Sequence, residues 1–257
     1  MPEKKLYGTV LIKADLILEC LFNEASSQSL QSVVRETGLT KSTALKILET
    51  LEHIGYVSRN NYDKTYSIGP KLIKYSNKQI ERFDFDDIIN KEIDELYQRF
   101  DETLHVGVYQ NDKIVTIKKF QSSKSVVCIS SEIGETKDLY SSAMGKAVLA
   151  EMDDRQLFRY INQHDFVAKT DKTIASAQKL LSEVESIRSR GYSIDDEENE
   201  EGVYCIGVAI TKMTGENKTI VGALSISIPI YRATDETVAE IAASVLNVKE
   251  KIMNKLN

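Results

Sequence analysis

The sequence predicts an α+β protein made of two units. Its length of 257 residues exceeds the roughly 100 to 150 residues of a typical domain, and a hydrophobic content of 42% can supply two cores. Apolar residues are spaced as in a helix up to Gly55 and then alternate with polar residues as in a strand. From Phe85 onward, segments with the helical pattern and segments with the strand pattern follow one another. We therefore expect a mixture of helices and strand hairpins.

Two helical patterns meet at Gly38 in the N-terminal part of the chain. Ser29 and Thr40 are predicted to cap them, because a hydroxyl at that position accepts a backbone N–H of the first turn. Gly38 can reverse the backbone between them without a Cβ penalty. This spacing is typical of a helix-turn-helix. The expected inward faces are Leu30, Val33 and Val34 on the first helix, and Ala44, Ile47, Leu48, Leu51 and Ile54 on the second.

The polar N-terminal end of the second helix is the predicted surface for nucleic acid. Its hydroxyl and ammonium groups have the chemistry to meet phosphates and base edges in a major groove. We expect contacts with double-stranded DNA from the two caps, Ser29 and Thr40, and from Lys41, Ser42, Thr43 and Lys46.

An alternating pattern after Gly55 predicts a short hairpin, the wing. Residues 56–59 and 65–68 form its strands, and residues 60–64 form its polar tip. Arg59 and Lys64 either lie along a phosphate backbone or a minor groove, or are solvated charges on an edge hairpin. The sequence supports both interpretations equally.

The charge is divided unevenly along the chain. The formal net charge is −6, but residues 1–75 carry 10 Lys and Arg against 8 Asp and Glu, a net charge of +2, whereas the remainder carries −8. A domain with a net charge of +2 binds phosphates weakly by itself, so useful affinity for DNA requires two copies of the domain on the same duplex. We therefore expect a homodimer or homotetramer.

A helical linker is expected between the two units. Pro70 suits the first position of a helix, and the residues after it can continue helically. The predicted boundaries are 1–69 for the winged helix-turn-helix, 70–85 for the linker helix and 86–257 for the second domain.

Several classes of protein are excluded by composition. No apolar run approaches the roughly 20 residues that cross a bilayer, and no secretory leader is evident, so we expect a cytoplasmic protein without a membrane partner. Cys20, Cys128 and Cys205 are odd in number and form no C-x-x-C pair, which argues against a disulfide scaffold and a zinc site. Neither a metal nor a cofactor is expected.

The second domain is predicted to mix both element types. Helices are expected near residues 86–100, 141–150, 153–162, 174–190 and 234–256, and strands near 104–109, 114–120, 125–130, 202–213 and 219–228. Asn111 and Asp112 are predicted to form a hairpin turn. The last helix has an apolar stripe that is typical of packing, formed by Val238, Ile241, Ala242, Val245 and Val248.

Three motifs follow one another along nearly the whole chain. They are Gly-Leu-Thr-Lys-Ser-Thr-Ala-Leu-Lys-Ile-Leu at 38–48, Ser-Ser-Ala-Met-Gly-Lys-Ala-Val-Leu-Ala at 141–150, and Gly-Tyr-Ser-Ile-Asp-Asp-Glu-Glu at 191–198 with Gly202, Cys205 and Gly-Ala-Leu-Ser-Ile-Ser at 222–227. In this order the three motifs resemble those of the IclR family of transcriptional regulators. The resemblance implies a GAF-like C-terminal domain that binds a small effector, often an organic acid or aromatic metabolite. It also implies dimers or tetramers on operator DNA, with repression as the default.

The resemblance places an effector pocket on the backbone amides of Ala143 and Met144 and on the side chains of Asp195, Cys205, Ser225 and Ser227. Amides at a helix start suit an anion, and two serines two apart on a strand share a face. Other interpretations remain: Cys205 as core filling, the serines on an open sheet face, and the acidic run 195–201 as a solvated loop apart from Asp195. His105 and His164 are expected to be structural.

Five positions depart from the family pattern. Ala209 replaces a proline, Ile228 a glycine, Asp138 and Tyr140 a proline and a histidine, and Lys46 an arginine. We expect Ile228 to narrow the pocket mouth and an inward-facing Asp138 to repel an anion. Lys46 lacks the planar bidentate fit of arginine to guanine.

The predicted mechanism is a population shift in which effector binding alters operator affinity through the linker helix. One alternative is a redox regulator that senses through Cys205. Another is an enzyme in which Asp195, Glu197 or Glu198 acts as acid or base and Cys205 as nucleophile, but no histidine near in sequence supplies a base. A third, an interaction module without nucleic acid, is disfavoured by the basic helix. We expect that the protein is not an enzyme.

Overall fold

The computed structural model describes residues 7–24, 26–82, 87–124 and 131–256; for residues 79–82 and 87–89 it describes the backbone alone. The chain divides into two compact units, Met1–Asp84 and Phe85–Asn257. The predicted strand at 125–130, Cys128 and the last part of the predicted linker lie outside the described residues. No described helix combines the length and apolar character needed to cross a membrane.

The N-terminal unit is a winged helix-turn-helix. Its elements are α1 (Thr9–Asn23), β1 (Gln28–Ser29), α2 (Leu30–Thr37), α3 (Lys41–Ile54), β2 (Val57–Arg59), β3 (Thr65–Ile68) and α4 (Lys71–Arg82). The three strands form an antiparallel sheet in the order β1-β3-β2. Gly38 ends α2 in the left-handed conformation at φ 66°, with its N–H bonded to Val34 O, as the sequence indicated.

The core of this unit includes a helix that the sequence analysis did not predict. Ile17 and Leu21 of α1 are buried against α2 and α3. The predicted stripe of α3 is buried at Ala44, Ile47, Leu48 and Leu51, but Ile54 is 37% exposed. The prediction for Ile54 was therefore wrong, because the buried stripe of α3 ends at Leu51 and Ile54 is the last residue of the helix.

The second unit is an antiparallel sheet with helices packed on it. Its elements are α5 (Asp87–Phe100), β4 (Thr103–Gln110), β5 (Lys113–Phe120), β6 (Thr136–Asp138), α6 (Ala143–Glu151), α7 (Asp154–Gln163), α8 (Ala177–Arg190), β7 (Ser193–Asp196), β8 (Val203–Thr214), β9 (Asn217–Pro229), a 3-10 turn (Ile230–Arg232) and α9 (Asp235–Leu256). The strand order is β6-β5-β4-β9-β8-β7. Asn111 and Asp112 form the β4–β5 turn with φ 51° and 57°, as predicted.

Helix α6 is the central element of the core in this unit. Its residues 143–149 are all buried, and it packs against β8, β9 and α8. Helix α9 packs on β8 with α5 beside it, and its buried residues include Ile241, Ala242, Val245 and Val248 of the predicted stripe. The sequence analysis did not predict the short edge strands β6 and β7. Their three and four residues are too few to show a period.

Candidate functional site

The N-terminal turns of α3 present polar side chains to solvent. Lys41, Ser42 and Lys46 are exposed and Thr43 is half-buried. Ala44, Ile47 and Leu48 on the opposite side are buried in the core, so one face of the helix is buried and the other is exposed to solvent. This distribution leaves the predicted reading residues accessible.

The two predicted caps make the expected hydrogen bonds. Ser29 Oγ accepts from Ser32 N at 3.1 Å and Thr40 Oγ1 accepts from Thr43 N at 3.3 Å. Thr40 also donates to the Thr43 hydroxyl at 2.9 Å. The Ser29 and Thr43 hydroxyls each retain a proton to donate, whereas that of Thr40 is engaged within the helix start.

The two charged residues of the wing differ in environment. Arg59 is half-buried, and its guanidinium lies 5.5 Å from the centre of the Tyr66 ring. Its buried Nε has no hydrogen-bond partner among the described residues. Lys64 is exposed and adopts φ 60° next to the tip. Arg59 is thus held across the hairpin rather than freely solvated, while Lys64 is free to reach outward.

In the second unit, the start of α6 is held close to the sheet. Ser142 caps the helix, accepting from Gly145 N at 3.2 Å and donating to Asp138 O at 2.8 Å. The amides of Ala143 and Met144 come first in the helix, where no intrahelical carbonyl can reach them. A Cβ on Gly207 of β8 would lie 2.8 Å from Ala143 C, so glycine permits this close approach. The positive end of the helix dipole therefore faces the sheet.

A small cavity, partly open to solvent, lies at this helix end. All six residues that the sequence analysis selected line it: Ala143, Met144, Asp195, Cys205, Ser225 and Ser227. The strand pairing brings them together, because Asp195 pairs with Cys205 and Cys205 pairs with Ser227 across three adjacent strands. Residues directly opposed in a sheet share a face.

The lining also contains residues that the sequence analysis missed as site residues. His105 is opposite Ser225 in the β4–β9 ladder, and Thr116 on β5 is 1% exposed. Thr116 Oγ1 has no hydrogen-bond partner among the described residues. The further lining residues are Ser131, Lys137, Ser142, Asn199, Glu200 and Val203. His105 becomes a neighbour of the serines only through the pairing of β4 with β9, in which it lies opposite Ser225, 120 positions later in the sequence.

Asp195 is a buried acid at the cavity wall. Its Oδ1 accepts from Glu198 N at 2.8 Å and Asn199 N at 3.3 Å. Desolvation, with repulsion from Glu198, raises the pKa of Asp195 to about 7. The side chain is therefore partly protonated near neutral pH and can donate a hydrogen bond.

A buried ion pair lies behind this wall. Lys146 Nζ of α6, whose side chain is 1% exposed, bonds Glu198, and Glu183 of α8 lies 3.6 Å away. Glu198 was expected to be solvated with the rest of the acidic run, and this prediction was wrong. Burial raises the pKa of Glu198, and Lys146 compensates its charge. Residues of the same acidic run, Asp196 and Glu197, pair with Lys172.

A row of polar groups crosses the floor of the cavity. Cys205 Sγ lies 3.0 Å from Ser227 Oγ, Ser227 Oγ lies 3.4 Å from His105 Nδ1, and His105 Nε2 lies 2.5 Å from Ser131 Oγ. Burial lowers the pKa of His105 to about 4, so the imidazole is neutral. Burial also raises the pKa of the Cys205 thiol well above its usual range, so the thiolate is disfavoured. The row can exchange hydrogen bonds but lacks an activated nucleophile.

Comparison with known proteins identifies the family. The model of the IclR helix-turn-helix domain matches residues 10–61, and the model of the bacterial transcriptional regulator IclR C-terminal domain matches residues 77–254. The HTH-type transcriptional regulator KdgR of Escherichia coli is 31% identical over 83% of this chain and 80% of its own length. The chain belongs to the IclR family.

Two further relatives extend this IclR-family match. The transcriptional repressor IclR of Escherichia coli is 27% identical over 92% of this chain and 85% of its own length. The crystal structure of Thermotoga maritima IclR is 32% identical, with a TM-score of 0.81 and coverage of 97% of this chain and 99% of that one. This IclR-family protein is therefore a transcriptional regulator with a helix-turn-helix DNA-binding domain, and its relatives are regulators rather than enzymes.

The positions where this IclR-family chain departs from the family pattern lie away from the cavity lining. Asp138 pairs with Lys113 and Lys169 on the edge of β6, and Tyr140 donates to Val167 O at 2.8 Å. Ala209 and Ile228 are buried in the sheet and do not line the cavity. The expected narrowing of the cavity by Ile228 was wrong, and the condition for repulsion by Asp138, an inward-facing carboxylate, is not met, because neither residue lines the cavity.

Proposed function

We propose that this regulator represses transcription from an operator and that a small carboxylate bound in the cavity beside α6 changes its operator affinity. The observation that carries the proposal is the cavity itself. It combines the first-turn residues of α6, Ala143 and Met144, with the buried polar side chains of Asp195, Ser225 and Ser227, which the sequence motifs had selected. Repression is supported by the relative named a transcriptional repressor.

We propose a carboxylate because the helix start favours an anion. Amides of the first turn can donate to its oxygens, and the helix dipole stabilises a negative charge by about 0.3 to 1 kcal/mol, and by up to about 2 kcal/mol in a partly buried site. The other groups suit the uncharged remainder of a ligand. Asp195, Thr116 and the serines can donate hydrogen bonds, and Val203 and Met144 offer apolar contact.

The operator contacts that we propose follow from exposure. Lys41 and Lys46 supply charge to phosphates or bases, and Ser42 and Thr43 supply hydroxyl donors at the first turn of α3. Ser29 at the start of α2 and Lys64 in the wing reach phosphates outside the major groove. Arg59, held over Tyr66, contributes charge from the wing strand, and Thr40 shapes the helix start. Two copies of this surface in a dimer or tetramer supply the affinity that one basic module lacks.

Coupling through the linker helix completes the proposed function. A dimer whose two reading helices must match two half-sites is sensitive to any change in their spacing. A ligand that prefers one arrangement by about 1 to 3 kcal/mol changes operator affinity by roughly 5- to 150-fold. We propose that α4 carries this change between the units.

The effector site is tested by removing one amide without disturbing the helix. Ala143 is the first residue of α6 and follows Ser142, whose φ of −121° and ψ of 148° suit a residue before proline. We expect full-length Ala143→Pro to fold normally but to lose binding of a carboxylate. The probe is a panel of small carboxylates, sugar acids and aromatic acids, screened by thermal shift on the wild type, in which a ligand at 100 times its Kd stabilises by about 2.7 kcal/mol.

The matched control is Ala177→Pro. Ala177 is likewise the first residue of a helix, α8, after an extended Ser176 with φ −144° and ψ 142°, but it does not line the cavity. It should keep the thermal shift that Ala143→Pro loses. Equal retention of the shift in both variants would contradict the proposed site. A wild-type protein that no acid in the panel stabilises would contradict the proposed ligand class.

The redox alternative receives no support from the environment of Cys205. A sensor cysteine needs a thiolate and access to the oxidant. The pKa of the Cys205 thiol is raised by burial, and the thiol is paired with Ser227. Cys205→Ser should therefore keep the ligand-induced change in operator affinity and remain insensitive to peroxide.

A further inference from the structure

The tip of the wing is held in one conformation by its own hydrogen bonds. Asn60 Oδ1 accepts from Tyr62 N at 3.0 Å, and Lys64 N donates to Asn60 O at 3.0 Å. Asp63 Oδ1 accepts from the backbone and the hydroxyl of Thr65 at 3.1 and 2.6 Å. Asn60 N closes the loop by donating to Thr65 O at 2.9 Å. A five-residue tip with these bonds presents its side chains in a fixed direction.

Tyr62 stands at this tip with its side chain fully in solvent. Its exposure is 100%, so the ring contributes nothing to the core of the unit. The flanking tip residues are polar or charged, which makes the ring the one large apolar group of the segment 60–64. An aromatic ring that is both exposed and held on a rigid backbone loses little conformational entropy on binding a partner.

The charges around Tyr62 favour a nucleic acid as that partner. Lys64 is exposed two residues away, and the guanidinium of Arg59 lies over Tyr66 at the base of the tip. Asp63 is exposed as well, but its Oδ1 accepts hydrogen bonds from the backbone and the hydroxyl of Thr65. The apolar ring of Tyr62 suits the sugars and base edges of a groove better than the charged phosphates of the outer backbone. The wing follows the reading helix α3 directly, and a minor groove flanks each major groove.

We propose that Tyr62 is a specificity-determining residue that inserts its ring into the minor groove beside the site read by α3. There the ring packs on deoxyribose and on exposed base edges, and the narrow groove of A·T-rich DNA attracts the neighbouring Lys64. With the ring in this position, the affinity for operator DNA depends on the shape of the minor groove at base pairs next to those that α3 contacts. This inference rests on the proposed operator binding.

The test uses full-length protein and a duplex selected from a random-sequence pool by the wild type. Tyr62→Ala should weaken binding to this duplex about tenfold, the order expected from loss of one aromatic contact with a nucleotide. Tyr62→Phe keeps the ring and should bind within about twofold of the wild type, since only a hydroxyl is lost. Tyr231→Ala, which removes an exposed tyrosine from the second unit, is the matched control and should bind as the wild type does.

Base substitution then locates the contact in one groove. The positions to be changed are A·T pairs whose minor groove the wild type protects from hydroxyl radicals. Replacement of such a pair by I·C keeps the minor-groove acceptors and changes only the major groove. Replacement by G·C adds an amino group to the minor groove. The wild type should tolerate I·C and lose about tenfold in affinity with G·C at the Tyr62 pairs. Tyr62→Ala should bind all three duplexes with the same reduced affinity.

Two results would overturn the inference while leaving the proposed function intact. One is equal affinity of Tyr62→Ala and wild type for the selected duplex, which would assign the exposed ring to a protein partner. The other is a loss in Tyr62→Ala that remains the same size on every duplex, G·C included. Tyr62→Ala should have the same melting temperature as the wild type, because the side chain is fully exposed. This measurement shows that neither result is caused by misfolding of the variant. Failure of the wild type to select any duplex would overturn the proposed operator binding, and this inference with it.

Discussion

Asp195→Asn provides a direct test of whether the acid in the cavity wall is protonated. The side chain is 4% exposed, and burial, with repulsion from Glu198, raises the pKa of its carboxyl group to about 7. In an unfolded chain the pKa of aspartate is about 3.9. Between these two values the native protein holds a proton that the unfolded chain has released.

The sign of the effect follows from this difference. Because the native state keeps the Asp195 proton in this range, the contribution of Asp195 to the free energy of unfolding falls as the pH rises from about 4 to about 7. The difference between the two pKa values corresponds to roughly 4 kcal/mol, at about 1.36 kcal/mol per pKa unit. Asparagine carries no charge and can still accept from the amides of Glu198 and Asn199. The advantage in stability of Asp195→Asn over the wild type should therefore grow by about 2.5 kcal/mol between pH 5 and pH 8.

The measurement is urea unfolding followed by circular dichroism at pH 5, 6, 7 and 8, with the transition of the second unit compared between variants. Asp138→Asn is the control. Asp138 is also a half-buried carboxylate, but Lys113 and Lys169 lower its pKa, so its stabilising pairs are present throughout this pH range. Its stability difference from the wild type should be constant with pH. A constant difference for Asp195→Asn as well would refute the argument that Asp195 holds a proton.

Three further substitutions probe the same region. Lys146→Met should destabilise the protein by about 3 to 5 kcal/mol at pH 8, because it leaves the Glu198 carboxylate buried without its partner, and adding Glu198→Leu should restore most of the loss in urea unfolding. Thr116→Val removes a buried hydroxyl that lacks a partner among the described residues. It should stabilise the free protein by about 1 kcal/mol while weakening carboxylate binding in calorimetry, and unchanged ligand affinity would argue against a contact with Thr116. Gly207→Ala places a Cβ 2.8 Å from Ala143 C. It should displace the start of α6, costing about 1 to 3 kcal/mol by thermal unfolding and abolishing the ligand-induced shift.

Local patterns were sufficient for the helix-turn-helix and for the main elements of the second unit. Ser29, Thr40 and Gly38 act at helix ends through neighbours within four residues, so their roles can be inferred without tertiary information. The turn at Asn111 and Asp112 is local in the same way. Helix α1 was missed because no cap or break marked its start: Gly8 makes no side-chain capping bond.

The residues that line the cavity were predicted only where a family motif contained them. Ser225 and Ser227 share a face by the period of a strand, but which face is buried depends on the helix that covers it. His105 and Thr116 enter the lining because β4 pairs with β9 and β5 pairs with β4. The turn at Asn111 and Asp112 marks the β4–β5 hairpin in the sequence, but the pairing of β4 with β9 leaves no mark within a short window, since strand order is set by packing of the whole domain.

The sequence by itself determined where helix α3 begins, because capping and periodicity are short-range properties, and its resemblance to the IclR family indicated the family and the six residues that line the cavity. Tertiary structure alone decided that Asp195 and Glu198 are buried while other members of the same acidic run pair near the surface, and that Ile228 and Asp138 do not line the cavity. The physical reason is that burial and charge compensation depend on neighbours brought from distant positions, such as Lys146 on α6, and only the folded chain supplies them.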